Sequence, residues 1–433
     1  MNLQILPTQI FHGRISLPGD KSISHRALML GAMAEGETVI RGLAPGEDVN
    51  STKRCLQQFG VIIKEKNGEI RVKGCGRLGL QKSEKMLDAG NSGTTMRLLA
   101  GLLATQSFSA TITGDASLQR RPMRRIIEPL TQMGAKITAQ ENGCAPITIH
   151  GGKLHGIHYR LPVASAQVKS CVLFAGLGAE GETVIEETIP TRDHSERLLQ
   201  RMDASISVSS HQDSVSSHEI RIHGGTLHGC EIEIPGDFSS AAFFIAAALL
   251  LPKSELLIEN VGLNPTRTAL LDVAREMGGE VNIMNLRNAF YEPIADLMVR
   301  YRPLQSTKVS GSRIPLLIDE IPILAVMATQ AEGETHIREA QELRVKESDR
   351  LAALAKNLRA MGAAIEELPD GLVISGPTKL RGAEVESFGD HRIAMAFAIA
   401  GLLADSPTAI RGAECVDISF PNFFARLEEV SCS

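Results

Sequence analysis

Two carboxylates and a set of cations in this chain have the types and spacing to hold anions and move protons. Lys21 and Arg26 follow Gly19-Asp20, and Arg392 follows Gly389-Asp390-His391, each near the expected start of an apolar helix. A cation there is disfavoured by the helix dipole unless an anion is present, so these positions read as phosphate or carboxylate sites. Gly90-Asn91-Ser92-Gly93, Ser165-Ala166-Gln167 and Gly236-Asp237-Phe238-Ser239 offer small and polar residues at matching points. Free N–H groups at such helix starts also bind anions, although capping alone would explain Asp237 and Asp390.

A second kind of loop holds Arg120, Arg121, Arg124 and Arg125, with Arg192 and then Lys346, Glu347 and Arg350 in later counterparts. The planar fork of Arg suits phosphate and carboxylate, which it bonds at two points. Arg121, beside Pro122, is the stronger site candidate, whereas Arg124 and Arg125 fit a solvated face. Asp319 and Glu347 stand among these prospective cations, which would keep them ionised and able to act as bases. Lys21 could donate a proton or stabilise developing charge.

The elements that must position these residues repeat. Strand-like segments begin at Thr38 (TVIRG), Ala110 (ATITG), Thr183 (TVIEE), Leu256 (LLIEN), Thr335 (THIRE) and Thr408 (TAIRG), at a nearly constant step. An apolar helical stretch precedes each, and an amphipathic helix ending at a Gly turn follows most of them, at Gly60, Gly134, Gly278 and Gly362. Two strand-like segments joined by a Gly-rich turn complete the unit, so each reads as βαβαββ. The sixth copy lacks its last strands, which Leu3–Leu17 could supply from the other end of the chain.

This register reassigns several motifs. GCGRLG from Gly74 to Gly79 matches GxGxxG but sits at a strand–strand turn and opens no helix, so it is no nucleotide loop. His150, His155 and His158 have a near-copy in His223 and His228, which makes them turn residues before metal ligands. The Ser/His run from Ser205 to His218 reads as a solvated loop or edge strand. No HExxH, Walker loop, calcium loop or Ser-His-Asp order is present, so metalloenzyme, NTPase and hydrolase readings lack support.

At 433 residues, two domains are the default. A hydrophobic fraction of 43% with 22% charged residues fits a soluble globular chain. A net charge of −5 and the absence of Trp argue against nucleic-acid and anionic-membrane partners. No signal-peptide pattern opens the chain, and the apolar run Ala241–Pro252 is too short to span a bilayer. Seven Cys without CxxC spacing read as reduced thiols, giving a cytoplasmic expectation.

The chain resembles the 5-enolpyruvylshikimate-3-phosphate synthase (3-phosphoshikimate 1-carboxyvinyltransferase) family. The resemblance lies in LPGDKSISHRALMLGAMAEG, DAGNSGTTMRLLAGLLA, RRPMRRIIEPL, SAQVKS, TRDHSERLL, PGDFSSAAFF, IDEIPILAVMA, RVKESDRL and FGDHRIAMAFA, which cover every repeat. SAQVKS and TRDH, with Leu98, Ala166 and Ser419, look like a second subgroup that includes enzymes tolerant of glyphosate; strongly tolerant members carry Ala at the Gly93 position. The resemblance implies a two-domain inside-out α/β barrel, the enolpyruvyl transferase fold, with three repeats per domain. The expected domains are 21–235 and 1–20 plus 236–433, with the active site in the cleft between them.

The implied reaction moves the enolpyruvyl group of phosphoenolpyruvate to the 5-hydroxyl of shikimate 3-phosphate in the shikimate pathway of aromatic amino acid biosynthesis. Lys21, Ser22, Arg26, Ser165, Ala166, Gln167 and Arg192 would hold shikimate 3-phosphate, with Asp319 and Lys346 on its hydroxyls. Gly93, Arg121, Arg350 and Arg392 would hold phosphoenolpyruvate, which Lys21 also touches. Asp319 would be the base, with Glu347 and Lys21 for proton transfer at the methylene carbon. The implied partners are these two small molecules, acting on a monomer without metal or organic cofactor. A UDP-N-acetylglucosamine enolpyruvyl transferase would carry a reactive Cys within Asp115–Arg121, where this chain has none. A non-catalytic anion-binding repeat protein would need the cations but neither Asp319 nor Glu347.

Overall fold

A computed structural model describes residues 2–211, 217–289 and 291–432 of the chain. Its contacts divide the chain into two compact units, Gly19–Ile234 and Met1–Pro18 with Pro235–Ser433. Each unit carries three repeats, βαβαββ in all but the sixth.

Six apolar helices form the centres of the repeats: α1 (Lys21–Met33), α2 (Gly93–Ala104), α3 (Ala166–Gly176), α4 (Phe238–Leu250), α5 (Ile321–Gln330) and α6 (His391–Leu402). A helix that is apolar on all sides has to be enclosed, and every residue of α4 is buried. The run 241–251 is therefore the interior of one unit, with Pro252 exposed at its end. Burial of each Phe or Leu side chain there contributes roughly 1.5–3 kcal/mol. The helices approach closely where side chains are small: a Cβ on Gly101 of α2 would lie 2.2 Å from the Cys171 carbonyl of α3.

Each central helix runs into an anchor strand: β1 (Glu37–Arg41), β2 (Ser109–Thr113), β3 (Glu182–Glu187), β4 (Glu255–Gly262), β5 (Gly333–Ile337) and β6 (Thr408–Arg411). Outer amphipathic helices follow, and their Gly turns are a backbone requirement. Gly60, Gly134, Gly278 and Gly362 have φ of 81°, 103°, 89° and 89°, the left-handed region that ends a helix without strain. Asp203 takes this position in the third repeat, at φ 63°.

Each anchor strand pairs in parallel with a short strand on one side, and β1 to β5 pair antiparallel with a hairpin on the other. The same pattern holds around β2, β3 and β5. The parallel partner of β1 is Glu231–Glu233, and that of β4 is Ile10–Ser16. The first pairing joins the two ends of the unit Gly19–Ile234, and the second ties the N-terminal segment to the later part of its own unit.

One expectation needs correction here. Only Asn2–Ile5 completes the sixth sheet, pairing antiparallel with β6; Ile10–Ser16 joins the fourth sheet instead. The sixth repeat therefore has one closing strand and no hairpin. In the Ser/His run, Ile206–His211 is an edge strand paired with Ser217–His223, and 212–216 lie outside the described residues. Among the described residues no helix is long and apolar enough to cross a membrane.

Candidate active site

Side-chain caps organise five of the six central helix starts. Asp20, Ser92, Ser165, Asp237 and Asp390 accept from the N–H groups of Ile23, Thr95, Val168, Ser239 and Arg392 at 2.9, 3.0, 3.4, 2.8 and 2.9 Å. The fifth helix differs: Glu320 is its N-cap but makes no capping bond, its carboxylate accepting from Ser239 Oγ, and Pro322 follows in the first turn. Asp319 stands one residue further out, so it does not cap α5 and its carboxylate is engaged elsewhere.

In the unit Pro235–Ser433 with Met1–Pro18, the carboxylates and cations form one cluster around Arg350, which is 1% exposed. Its Nε donates to Asp390 Oδ2 at 2.8 Å and its Nη2 to Asp390 Oδ1 at 3.3 Å. The same Nη2 donates to Glu347 Oε2 at 2.6 Å, and Nη1 reaches Asp319 Oδ1 at 3.4 Å. Burial opposes the charge on Arg350, but Asp390, Glu347 and Asp319 outweigh it and hold the guanidinium above its ordinary value. Arg392 donates to the Asp319 carbonyl at 3.0 Å and lies 3.5 Å from Asp319 Oδ2. Asp319, Glu347, Arg350 and Arg392 thus meet, although they come from the α5 junction, a loop, the start of the helix Arg350–Ala360 and the α6 start. Lys346 is half-buried beside Glu347.

In the unit Gly19–Ile234, the cations are held by their neighbours. Lys21 Nζ donates to Asp48 Oδ2 at 2.9 Å. Arg26 is 2% exposed; its Nε donates to Ser195 Oγ and its Nη2 to Ser170 Oγ, both at 2.7 Å, and its Nη1 to the Ser22 carbonyl at 2.9 Å. Arg121 does not start a helix, because it ends a 3-10 turn and Met123 is the next N-cap. It donates through Nη2 to Asn91 Oδ1 at 2.8 Å and through Nη1 to the Asn91 carbonyl at 3.2 Å. Gly93, the first residue of α2, leaves room beside it: an added Cβ would lie 2.7 Å from Arg97 Nη1 and 3.4 Å from Arg121 Nη1. Gln167 connects to this group, accepting from Arg97 Nη1 at 2.6 Å and donating to Thr94 Oγ1 at 2.9 Å. Ser165, Ala166 and Arg192 are half-buried, the last in the loop after β3.

Sequence reasoning missed Arg97 and Asp48 as parts of this machinery, and placed Asn91 at the junction without its link to Arg121. Arg97 had a legible signal: it lies four residues past Gly93, on the same helix face one turn on. Asp390 was legible as a cap but not as the partner of Arg350. A cavity of about 920 Å³ lined by Leu250, Gln330 and Leu402 lies at the C-terminal ends of α4, α5 and α6. It is at the wrong ends of those helices for an anion, since free N–H groups are at the starts.

Comparison with known proteins gives the family. The model of the EPSP synthase (3-phosphoshikimate 1-carboxyvinyltransferase) family matches residues 6–427. The chain belongs to the EPSP synthase family. A 3-phosphoshikimate 1-carboxyvinyltransferase of Synechocystis sp. (strain ATCC 27184 / PCC 6803 / Kazusa) is 55% identical over 423 residues, 97% of this chain and 94% of that protein. Its counterpart in Synechococcus sp. (strain JA-3-3Ab) is 52% identical over 433 residues, 99% of this chain and 96% of that protein. The EPSP synthase structure from Acinetobacter baumannii superposes with a TM-score of 0.86 at 44% identity, covering 99% of this chain and 98% of the other. The enolpyruvyl transferase NikO from Streptomyces tendae, at 18% identity and a TM-score of 0.80 over 99% and 97% of the two chains, shares the fold. The EPSP synthase architecture is thus an α/β fold of six repeats, three to a unit.

Proposed function

We propose that this chain transfers the enolpyruvyl group of phosphoenolpyruvate to the 5-hydroxyl of shikimate 3-phosphate, releasing phosphate. The observation that carries the reading, within the EPSP synthase family, is the cluster of Asp319 and Glu347 on the buried Arg350 beside Arg392. An anion-binding protein needs the guanidinium groups; carboxylates among them supply proton transfer.

Both substrates carry a phosphate and a carboxylate, and fixed Arg and Lys groups offset these charges without reorganising during reaction. Lys21, Ser22, Arg26, Ser165, Ala166, Gln167 and Arg192 hold shikimate 3-phosphate in this reading, with Asp319 and Lys346 at its hydroxyls. Gly93, Arg121, Arg350, Arg392 and Lys21 hold the donor. Asp319 takes the proton of the 5-hydroxyl as its oxygen bonds to C2 of phosphoenolpyruvate, while C3 is protonated by Glu347 or Lys21. The adduct then breaks its C2–O bond to phosphate as C3 returns a proton and the double bond reforms. Holding hydroxyl and C2 together makes the addition effectively intramolecular. In this reading residues of each unit serve the reaction, and the protein acts as a cytoplasmic monomer on these small molecules alone.

The test is phosphate release from phosphoenolpyruvate with shikimate 3-phosphate or UDP-N-acetylglucosamine as acceptor. Turnover with the first alone supports the reading. Turnover with the sugar nucleotide, or with neither, rejects it.

A further inference from the structure

Lys169 lies one turn into α3, four residues past the Ser165 cap, and is 1% exposed. Its Nζ is 2.9 Å from Glu187 Oε2 and 2.6 Å from Glu196 Oε1, and donates to the Thr191 carbonyl at 3.2 Å. Glu187 ends β3, and Glu196 lies in the first turn of the outer helix His194–Arg201. The Thr191 hydroxyl donates to Glu187 Oε1 at 2.5 Å. One ammonium therefore joins the central helix, the anchor strand and the outer helix of the repeat. The loop it encloses carries Arg192. Next to Glu196, Ser195 Oγ meets both Arg26 Nε and Ser170 Oγ at 2.7 Å, so the Arg26 network abuts the same loop.

Stability does not account for this cluster. One ammonium between two buried carboxylates leaves a negative excess, and apolar side chains of similar volume would hold a fold at least as well. Oε2 of Glu196 has no hydrogen-bond partner. Burial raises the Glu196 carboxyl above the ordinary range despite Lys169. What the cluster does supply is direction: both the carbonyl and the hydroxyl of Thr191 are fixed, one residue before Arg192.

Given that Arg192 meets the 3-phosphate as proposed above, we propose that Lys169, Glu187 and Glu196 are positioning residues that clamp Thr191 and so set where Arg192 stands relative to the Ser165–Gln167 helix start. Lys169→Met with Glu196→Gln removes the ammonium and one carboxylate together, so the net charge of the cluster is unchanged while Glu187 loses its ammonium partner. Calorimetric titration of the free enzyme with shikimate 3-phosphate should show a dissociation constant raised about 5- to 50-fold, the range of coupling between neighbouring groups. kcat at saturating acceptor and KM for the donor should stay within about twofold. Adding Arg192→Ala to that double variant should cost no more than Arg192→Ala alone, because both remove one contact.

A folded double variant with unchanged affinity, or losses that simply add, overturns the clamp. So does an equal fall in kcat, which would mark general damage. If the double variant does not fold, Thr191→Val carries the same expectation, and unchanged affinity there is equally fatal. Normal affinity in Arg192→Ala would instead reject the assignment of Arg192 itself, and the clamp with it.

Discussion

Arg350 grips both carboxylate oxygens of Asp390, at 2.8 and 3.3 Å, with 1% and 0% of the two residues exposed. The same carboxylate accepts from the Arg392 N–H at 2.9 Å. Asp390 therefore holds one guanidinium directly and sets the backbone from which the other projects.

Removing one partner of such a pair leaves a buried charge. Asp390→Asn keeps the cap of α6 but loses the ion pair, and should destabilise by about 3–5 kcal/mol. Urea unfolding measures this. A loss below about 1 kcal/mol would mean that Glu347 and Asp319 suffice for Arg350.

Asp319 stands outside the N-cap, which Glu320 occupies, so its carboxylate faces Arg350 and Arg392 and does not cap the helix. Asp319→Asn should lower turnover by about 10²- to 10⁴-fold, the share of general acid–base catalysis. Its melting temperature should move little, and both substrates should still bind. Near-normal turnover would transfer the role of base to Glu347.

Arg121 and Arg392 are assigned to the donor. A charged hydrogen bond is worth roughly 1.5–3 kcal/mol, so each Ala variant should weaken donor use by about 10- to 150-fold. Titration with shikimate 3-phosphate alone should be unaffected. Equal losses for both substrates contradict the assignment.

Gly93 has room for a methyl group only if Arg97 gives way, since the Cβ would lie 2.7 Å from Arg97 Nη1. Gly93→Ala should raise KM for phosphoenolpyruvate about tenfold, within the roughly 1–3 kcal/mol of overpacking. The affinity for shikimate 3-phosphate should hold within about twofold. If it falls instead, the displacement of Arg97 has travelled to Gln167, its partner at 2.6 Å.

Glu196 gives a pH dependence of unusual sign. Burial raises its folded-state pKa above the ordinary 4.5, with Lys169 opposing and Glu187 assisting. The folded state then binds the proton more tightly than the unfolded one, so stability falls as pH rises through the window above 4.5. Lys169, raised by Glu196 and Glu187 against burial, loses its contribution only above 10.5 and does not enter that window. Glu196→Gln should flatten the slope of unfolding free energy against pH above about 4.5. An unaltered slope would exclude Glu196 as its source.

The six-fold repeat was legible because its signals are local. Apolar helices, anchor strands and Gly turns depend on neighbours within a few residues, and all six anchor strands form where TVIRG and its copies stand. The partner of each strand was less legible. Leu3–Leu17 could be read as strand, but two open sheets competed for it, and Asn2–Ile5 and Ile10–Ser16 divided between them. Backbone pairing is not written into a side-chain pattern that suits either edge.

By itself, the sequence determined the repeat, the membership of the EPSP synthase family and which side chains are chemically able to bind anions or carry protons. Only the tertiary structure decided their company. Asp390 lies 40 positions from Arg350, and Lys169 lies 27 from Glu196, yet each pair is buried in contact. A charge enters an interior only with a partner, and long-range packing chooses that partner because no periodicity relates residues so far apart.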